Sequence, residues 1–210
     1  MLYLVLASCS VFKSNYKLVD QSFKEAGMSS STRQAAVQAL KCAEKKLITP
    51  RHYFMVVDFQ LPTTEKRLWL IDTSSGEVVA HEWVAHGKNS GPAHQATSFS
   101  NVVRSNKSSL GVYRGLVRSP SEHPPYNLRI QGLEDDFNSN ALRRTVVLHS
   151  SKYVGPGHTG RSYGCFSVQR SAIENLADNL RLGGLIFAYY PDSEYLEHSE
   201  YLNCDWILLL

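Results

Sequence analysis

The chain has 210 residues, 43% apolar and 20% charged, a composition that excludes a disordered or collagen-like protein. Twenty-two Lys and Arg against 19 Asp and Glu leave a formal charge of +3, and no basic run reaches five residues, so nothing marks the chain for nucleic acid. No apolar run has the length of a membrane span, and a chain of this size buries roughly 70% of its unfolded surface in a core of its own.

Met1 to Ala7 is apolar and runs into Ser8-Cys9. The order Leu6-Ala7-Ser8-Cys9 resembles a bacterial lipoprotein signal, which would lipidate Cys9 and make the membrane a partner. A first strand is the alternative, because no Lys or Arg precedes the stretch. Residues 10–30 are polar and aperiodic, so residues 1–30 read as signal and tether. Ser29 to Thr32 supply N-cap candidates for a helix over about 32–47, with Ala36, Leu40, Ala43 and Leu47 at helical spacing and Thr49-Pro50 as its stop.

The pattern then turns to strands. Tyr53–Phe59, Arg67–Asp72 and Glu77–Ala85 are β-rich, the last two joined by Thr73-Ser74-Ser75-Gly76 as a hairpin turn. Residues 86–109 form a long polar loop whose Phe99, Val102 and Val103 read as anchors, which points to an ordered binding surface. Further strands are expected at Leu110–Leu116, Tyr126–Gln131 and Thr145–His149. Ser171–Leu182 is an amphipathic helix ended by Gly183-Gly184, and Leu185–Tyr190 is a buried strand closed by Pro191. The sum is about seven strands and two helices: an α+β, mainly β domain over 31–190. Residues 191–210 form an acidic tail whose final apolar residues dock on the body.

Four cysteines stand at positions 9, 42, 165 and 204, with no CxxC pair, which argues against thiolate metal ligation. In an exported protein Cys42 and Cys204 pair as a disulfide; otherwise they are two buried thiols. Cys165 differs. It follows a glycine in a loop with four glycines, with fifteen residues between it and His149 at the end of an apolar strand. A histidine fixed at a strand end and a cysteine on a turn meet two needs of thiol chemistry: a base that raises the thiolate fraction, and free N–H donors for an oxyanion. On spacing alone, a buried Cys165 and a core-bonded His149 are the more ordinary reading. A zinc amidase built on His86, His94, His149 or His158 is disfavoured, since there is no HExxH and no ligand pair on one element.

The wording of this segment resembles the L,D-transpeptidase catalytic domain of bacterial cell-wall enzymes, whose signature is a histidine followed at a distance by Ser/Thr-His-Gly-Cys. Here the cysteine closes Ser162-Tyr163-Gly164-Cys165. Ser108-Ser109-Leu110-Gly111-Val112-Tyr113 stands where the family has Thr-Pro-x-Gly-x-Phe/Tyr, and Gly183-Gly184-Leu185-Ile186-Phe187-Ala188 is similar to its closing strand. The murein L,D-transpeptidase catalytic-domain branch is the most similar, through VVDFQLPTTEKRLWLID, VAHGKNSG, ATSFSN and GRSYGC. Two positions depart from the family: Tyr163 replaces the signature histidine, and Ser167 the usual Arg two residues after the cysteine.

The resemblance implies a β-sandwich or barrel with a helix after the cysteine, and a peptidoglycan L,D-transpeptidase of the cell envelope, periplasmic or anchored. Cys165 would be the nucleophile, His149 its base, the Ser150 carbonyl the group that orients the imidazole, and Gly164 an oxyanion donor. Arg161, Ser162, Tyr163, His86 and Asn89 would bind the stem peptide. No metal or cofactor is implied. Trimming by water (an L,D-carboxypeptidase) and peptidoglycan binding without catalysis are the alternatives.

Overall fold

The computed structural model describes residues 14–46, 48, 52–119 and 127–204. The Met1–Cys9 segment, Tyr126 and the apolar C-terminal residues lie outside them. Two helices come first, α1 (Tyr16–Glu25) and α2 (Ser30–Lys45), capped by the side chains of Asn15 and Ser29. The strands are β1 (Tyr53–Asp58), β2 (Leu68–Asp72), β3 (Val78–Glu82), β4 (Val84–Ala85), β5 (Gly111–Ser119), β6 (Asn127–Gly132), β7 (Val147–Ser150), β8 (Val154–Gly155), β9 (His158–Thr159), β10 (Phe166–Val168) and β11 (Leu185–Tyr189). Helix α3 (Ile173–Leu180) precedes β11, and α4 (Ser193–His198) follows it.

Nine strands form one mixed sheet in the order β3-β2-β1-β11-β5-β6-β7-β10-β4, with β1–β11 and β7–β10 parallel; β8 and β9 pair separately. The two edge strands, β3 and β4, are separated in the chain by Trp83 alone. One residue spans only about 3.5 Å, so the sheet must curl until its edges nearly meet. The architecture is therefore mainly β and barrel-like, with α2 against β1 and β11 and α3 against β1, β5 and β7. Strands β1 and β11 are buried on both faces, which explains their continuous apolar runs FMVV and LIFAY.

Three expectations change. The polar stretch read as tether contains α1, which buries only Val19 and Phe23, one turn apart; Phe23 meets the Phe54 ring edge-on at 6.4 Å. The single strand expected over 77–85 breaks at Trp83, because its two halves serve opposite edges of the sheet. A short strand, β10, stands between the cysteine and α3. The acidic tail is ordered up to residue 204 by its non-acidic members: Tyr195 and Tyr201 are buried, and a Cys42–Cys204 disulfide with Cα atoms 5.6 Å apart staples the segment to α2. Glu134 anchors it further, accepting from Tyr195 Oη at 3.1 Å and Ser199 Oγ at 2.6 Å.

Candidate active site

Two parallel neighbours, β7 and β10, build the site. In their register Ser167 lies opposite His149, and Phe166 opposite Leu148. Side chains alternate along a strand, so Cys165, immediately before β10, projects to the same face as Ser167 and hence as His149. On its other side Ser167 pairs with Ala85 of β4.

His149 is buried, at 7% exposure, and its hydrogen bonds set its tautomer. Nδ1 lies 2.8 Å from the Ser150 carbonyl, which can only accept, so Nδ1 carries the proton and Nε2 is the basic nitrogen. Nε2 accepts from Ser167 Oγ at 2.7 Å, and Ser167 Oγ in turn meets Tyr153 Oη at 3.0 Å. In the sequence Ser167 stands out only as a departure from the family, and Tyr153 is not among the expected site residues. The period of two between Cys165 and Ser167 was the available signal. The half-buried Cys165 thiol donates to the Thr145 carbonyl at 3.7 Å. Burial pushes its pKa up, outweighing the Val147 N–H and the Arg144 guanidinium that favour the thiolate. The thiol form is favoured, and Cys165 stands two residues before the serine that pairs with His149.

The turn before the cysteine is clamped by backbone. Ser162 N donates to the His86 carbonyl at 2.8 Å and Lys88 N to the Ser162 carbonyl at 2.7 Å. Ser162 Oγ donates to the Cys165 carbonyl at 2.7 Å and accepts from Gly164 N at 3.1 Å. That last bond corrects the expectation for Gly164: its N–H is spent inside the turn, which leaves the N–H groups of Cys165 and Tyr163 as the oxyanion candidates. Gly164 has another role. Its φ of +116° and the Lys107 carbonyl, 2.7 Å from where a Cβ would sit, both require glycine. Gly87 is likewise pressed against the Asn106 carbonyl, 2.5 Å from its missing Cβ.

His86 does not line a cleft. It is fully buried, accepts from Arg67 Nη2 at Nδ1 (3.1 Å) and donates from Nε2 to the Pro92 carbonyl (3.0 Å). Burial and then the Arg67 charge push its pKa down to about 4, so it is a neutral strut. Arg67 is itself buried and donates to the carbonyls of Val84 and Leu61. Asn89 is exposed and binds the Ser105 carbonyl at 2.9 Å, and Arg161 is exposed and donates to the carbonyls of Lys88 and Gly91. Both tie loops together. Tyr163 is 71% exposed, with Lys88 Nζ 4.3 Å from its ring centroid.

The 86–109 loop is ordered, as expected. Phe99 packs between Phe59 and Tyr190, and Arg144 holds the loop through the carbonyls of Ser100 and Lys107 and the hydroxyl of Ser109. Val102 is no anchor, being 66% exposed. Among the described residues no group of three His, Cys, Asp or Glu side chains is placed to hold a metal ion, and no helix is long and apolar enough to cross a membrane.

A family model for the L,D-transpeptidase catalytic domain matches residues 24–189. No curated protein matches the chain by sequence. Among solved structures, an L,D-transpeptidase from Mycobacterium smegmatis is 16% identical, at a TM-score of 0.40, over 66% of this chain and 59% of its own. LdtMt1 in complex with imipenem is 14% identical, at 0.40, over 66% and 59%. The L,D-transpeptidase of Xylanimonas cellulosilytica is 16% identical, at 0.38, over 84% and 94%. The chain thus spans about three fifths of the length of the first two. The family match takes in both strands of the site, the turn that carries Cys165 and the long loop before it, and the chain belongs to the L,D-transpeptidase catalytic domain family.

Proposed function

We propose that the chain is a cysteine acyltransferase acting on peptidoglycan stem peptides. The observation that carries this reading is that His149 pairs across two parallel strands with Ser167, two residues after Cys165, while the Ser150 carbonyl holds Nδ1 and leaves Nε2 as the basic nitrogen. Cys165 Sγ attacks the carbonyl of the third stem residue, a diamino acid, while its proton passes to His149 Nε2. The C–N bond to the terminal D-Ala then breaks; the leaving amine takes the proton from His149, and a thioester remains on Sγ. An amine from a second stem attacks the thioester, gives its proton to Nε2, and Sγ leaves to take that proton back as the thiol. The N–H groups of Cys165 and Tyr163 face the tetrahedral oxygen in each half-reaction. Water in place of the amine makes the same steps a carboxypeptidase reaction.

Nε2 must exchange its Ser167 partner for the thiol on substrate entry. Hydrogen bonds of this kind are often longer or differently aligned before substrate binds. Ser167 and Tyr153 keep the buried ring satisfied and oriented until then. The Cys42–Cys204 disulfide supports an oxidising compartment, in keeping with a bacterial cell-envelope location. Anchoring through a lipidated Cys9 belongs to the same reading.

The test incubates the protein with a tetrapeptide stem ending in D-Ala, with and without an amine acceptor. Expected are equimolar free D-Ala and a new amide product, or a tripeptide acid without the amine. Cys165→Ala and His149→Gln should form neither. Turnover that survives Cys165→Ala would overturn the reading.

A further inference from the structure

Ser167, which stands where the family has Arg, is engaged with His149 and Tyr153, and Arg161 with two backbone carbonyls. A cleft of about 830 Å³ is lined among others by Arg104, Arg143, Arg144, Thr145 and Tyr163. It is a ligand-sized volume. Thr145, whose carbonyl receives the Cys165 thiol, forms the wall that the cleft shares with the cysteine. Among the described residues, three arginines and no acidic residue line it.

The three arginines are not equivalent. Arg144 is spent on holding the 100–109 loop. Arg104 and Arg143 come from different segments and are exposed, and among the described residues neither has a hydrogen bond or ion pair. A second observation points to the same place. Five non-glycine residues have left-handed backbone among those described, and three of them line this cleft: Arg104 (φ 65°), Asn106 (φ 56°) and Thr145 (φ 52°). Such conformations are costly and persist where the surrounding structure enforces them, commonly at ligand clamps. Here they shape the cleft that Arg104 and Arg143 line, and one of them, Thr145, receives the Cys165 thiol at its carbonyl.

We propose that this cleft is the carboxylate subsite for the acyl donor, with Arg104 and Arg143 recognising a peptide that carries two free carboxylates near the scissile bond. The terminal D-Ala supplies one and the diamino acid's side chain the other. A guanidinium fork suits a carboxylate because two N–H groups meet two oxygens in one plane. The exposed Tyr163 ring, with Lys88 over it, forms an apolar wall for the peptide stem. The inference rests on Cys165 as nucleophile, and it specifies which donor the site selects: a free diamino-acid carboxylate over its carboxamide.

The experiment measures binding without turnover. The full chain carrying Cys165→Ala is titrated by calorimetry with a D-Ala-terminated tetrapeptide whose diamino-acid carboxylate is free, with the same peptide amidated there, and with inorganic phosphate. The same titrations follow after Arg104→Gln and Arg143→Gln are added together. The double substitution should weaken the free-acid peptide about tenfold and the amidated one less, since each exposed ion pair contributes modestly. Equal affinity before and after the double substitution, no peptide binding at all, or phosphate binding as tightly as the peptide would overturn the proposal. Failure of the reaction reads differently: the peptide would bind in this arginine-dependent way, yet the protein with Cys165 intact would release no D-Ala.

Discussion

Arg67→Leu should loosen the turn that presents Cys165 although residue 67 lies outside the site. Arg67 is fully buried and donates to Val84 O from Nε and Nη2 (3.1 and 2.9 Å), to Leu61 O from Nη1 (2.8 Å) and to His86 Nδ1 from Nη2 (3.1 Å), with its guanidinium 5.2 Å from the Phe59 ring centroid. Leucine leaves three buried acceptors without donors, and each such group costs about 1–3 kcal/mol. Leucine's own burial, and relief from desolvating a cation whose pKa is pushed down to about 9, offset part of that. A net loss of about 3 kcal/mol follows, or about 6–12 °C in Tm for a chain of this size. The damage should spread along a defined path. His86 loses its donor, its carbonyl holds Ser162 N, and Ser162 braces Gly164 and Cys165. Amide hydrogen exchange should therefore quicken at 86–92 and 161–165 more than in α2. A Tm within about 2 °C of the parent, or uniform exchange changes, would refute the argument.

The Cys42–Cys204 bond closes a separation of 162 residues, for which the chain-entropy account gives about 5 kcal/mol; urea unfolding of Cys204→Ala should show a loss of about 2–5 kcal/mol. Glu134, buried beneath α4, has its pKa pushed up to about 7 by burial, against the hydrogen bonds it accepts. The folded state then holds this proton more tightly than the unfolded chain. Its contribution to stability is full below about pH 4.5 and is lost as pH rises through 7, at up to about 1.4 kcal/mol per pH unit. Thermal unfolding from pH 4.5 to 8 should show that slope in the parent and not in Glu134→Gln.

The elements that were legible in the sequence are those with a strong period or a continuous apolar run. Helix α2 shows Ala36, Leu40 and Ala43 on one stripe, and β1 and β11 are buried on both faces. Helix α1 was hidden because two buried side chains on an otherwise polar helix make no visible stripe. Strand β10 is three residues long, too short for a pattern, and its pairing comes from sequence-distant strands. At the site, the order of motifs singled out His149 and Cys165. The partners of those residues were not legible, since Ser167, Tyr153 and Thr145 reach them only through strand register and a strained turn. Arg67 illustrates the same limit: a charged residue entering a strand reads as surface until its three acceptors are seen. Cys42 and Cys204 left both pairing and burial open, because nothing local reports a contact across 162 positions.

The central claim is that Cys165 is an acyl-accepting thiol. Intact mass after incubation with imipenem tests it most directly, read beside Cys165→Ala and a folded, reduced parent. One imipenem-derived adduct per chain on the parent, and none on Cys165→Ala, is the predicted result. An unmodified parent, or an adduct that persists without Cys165, would contradict it.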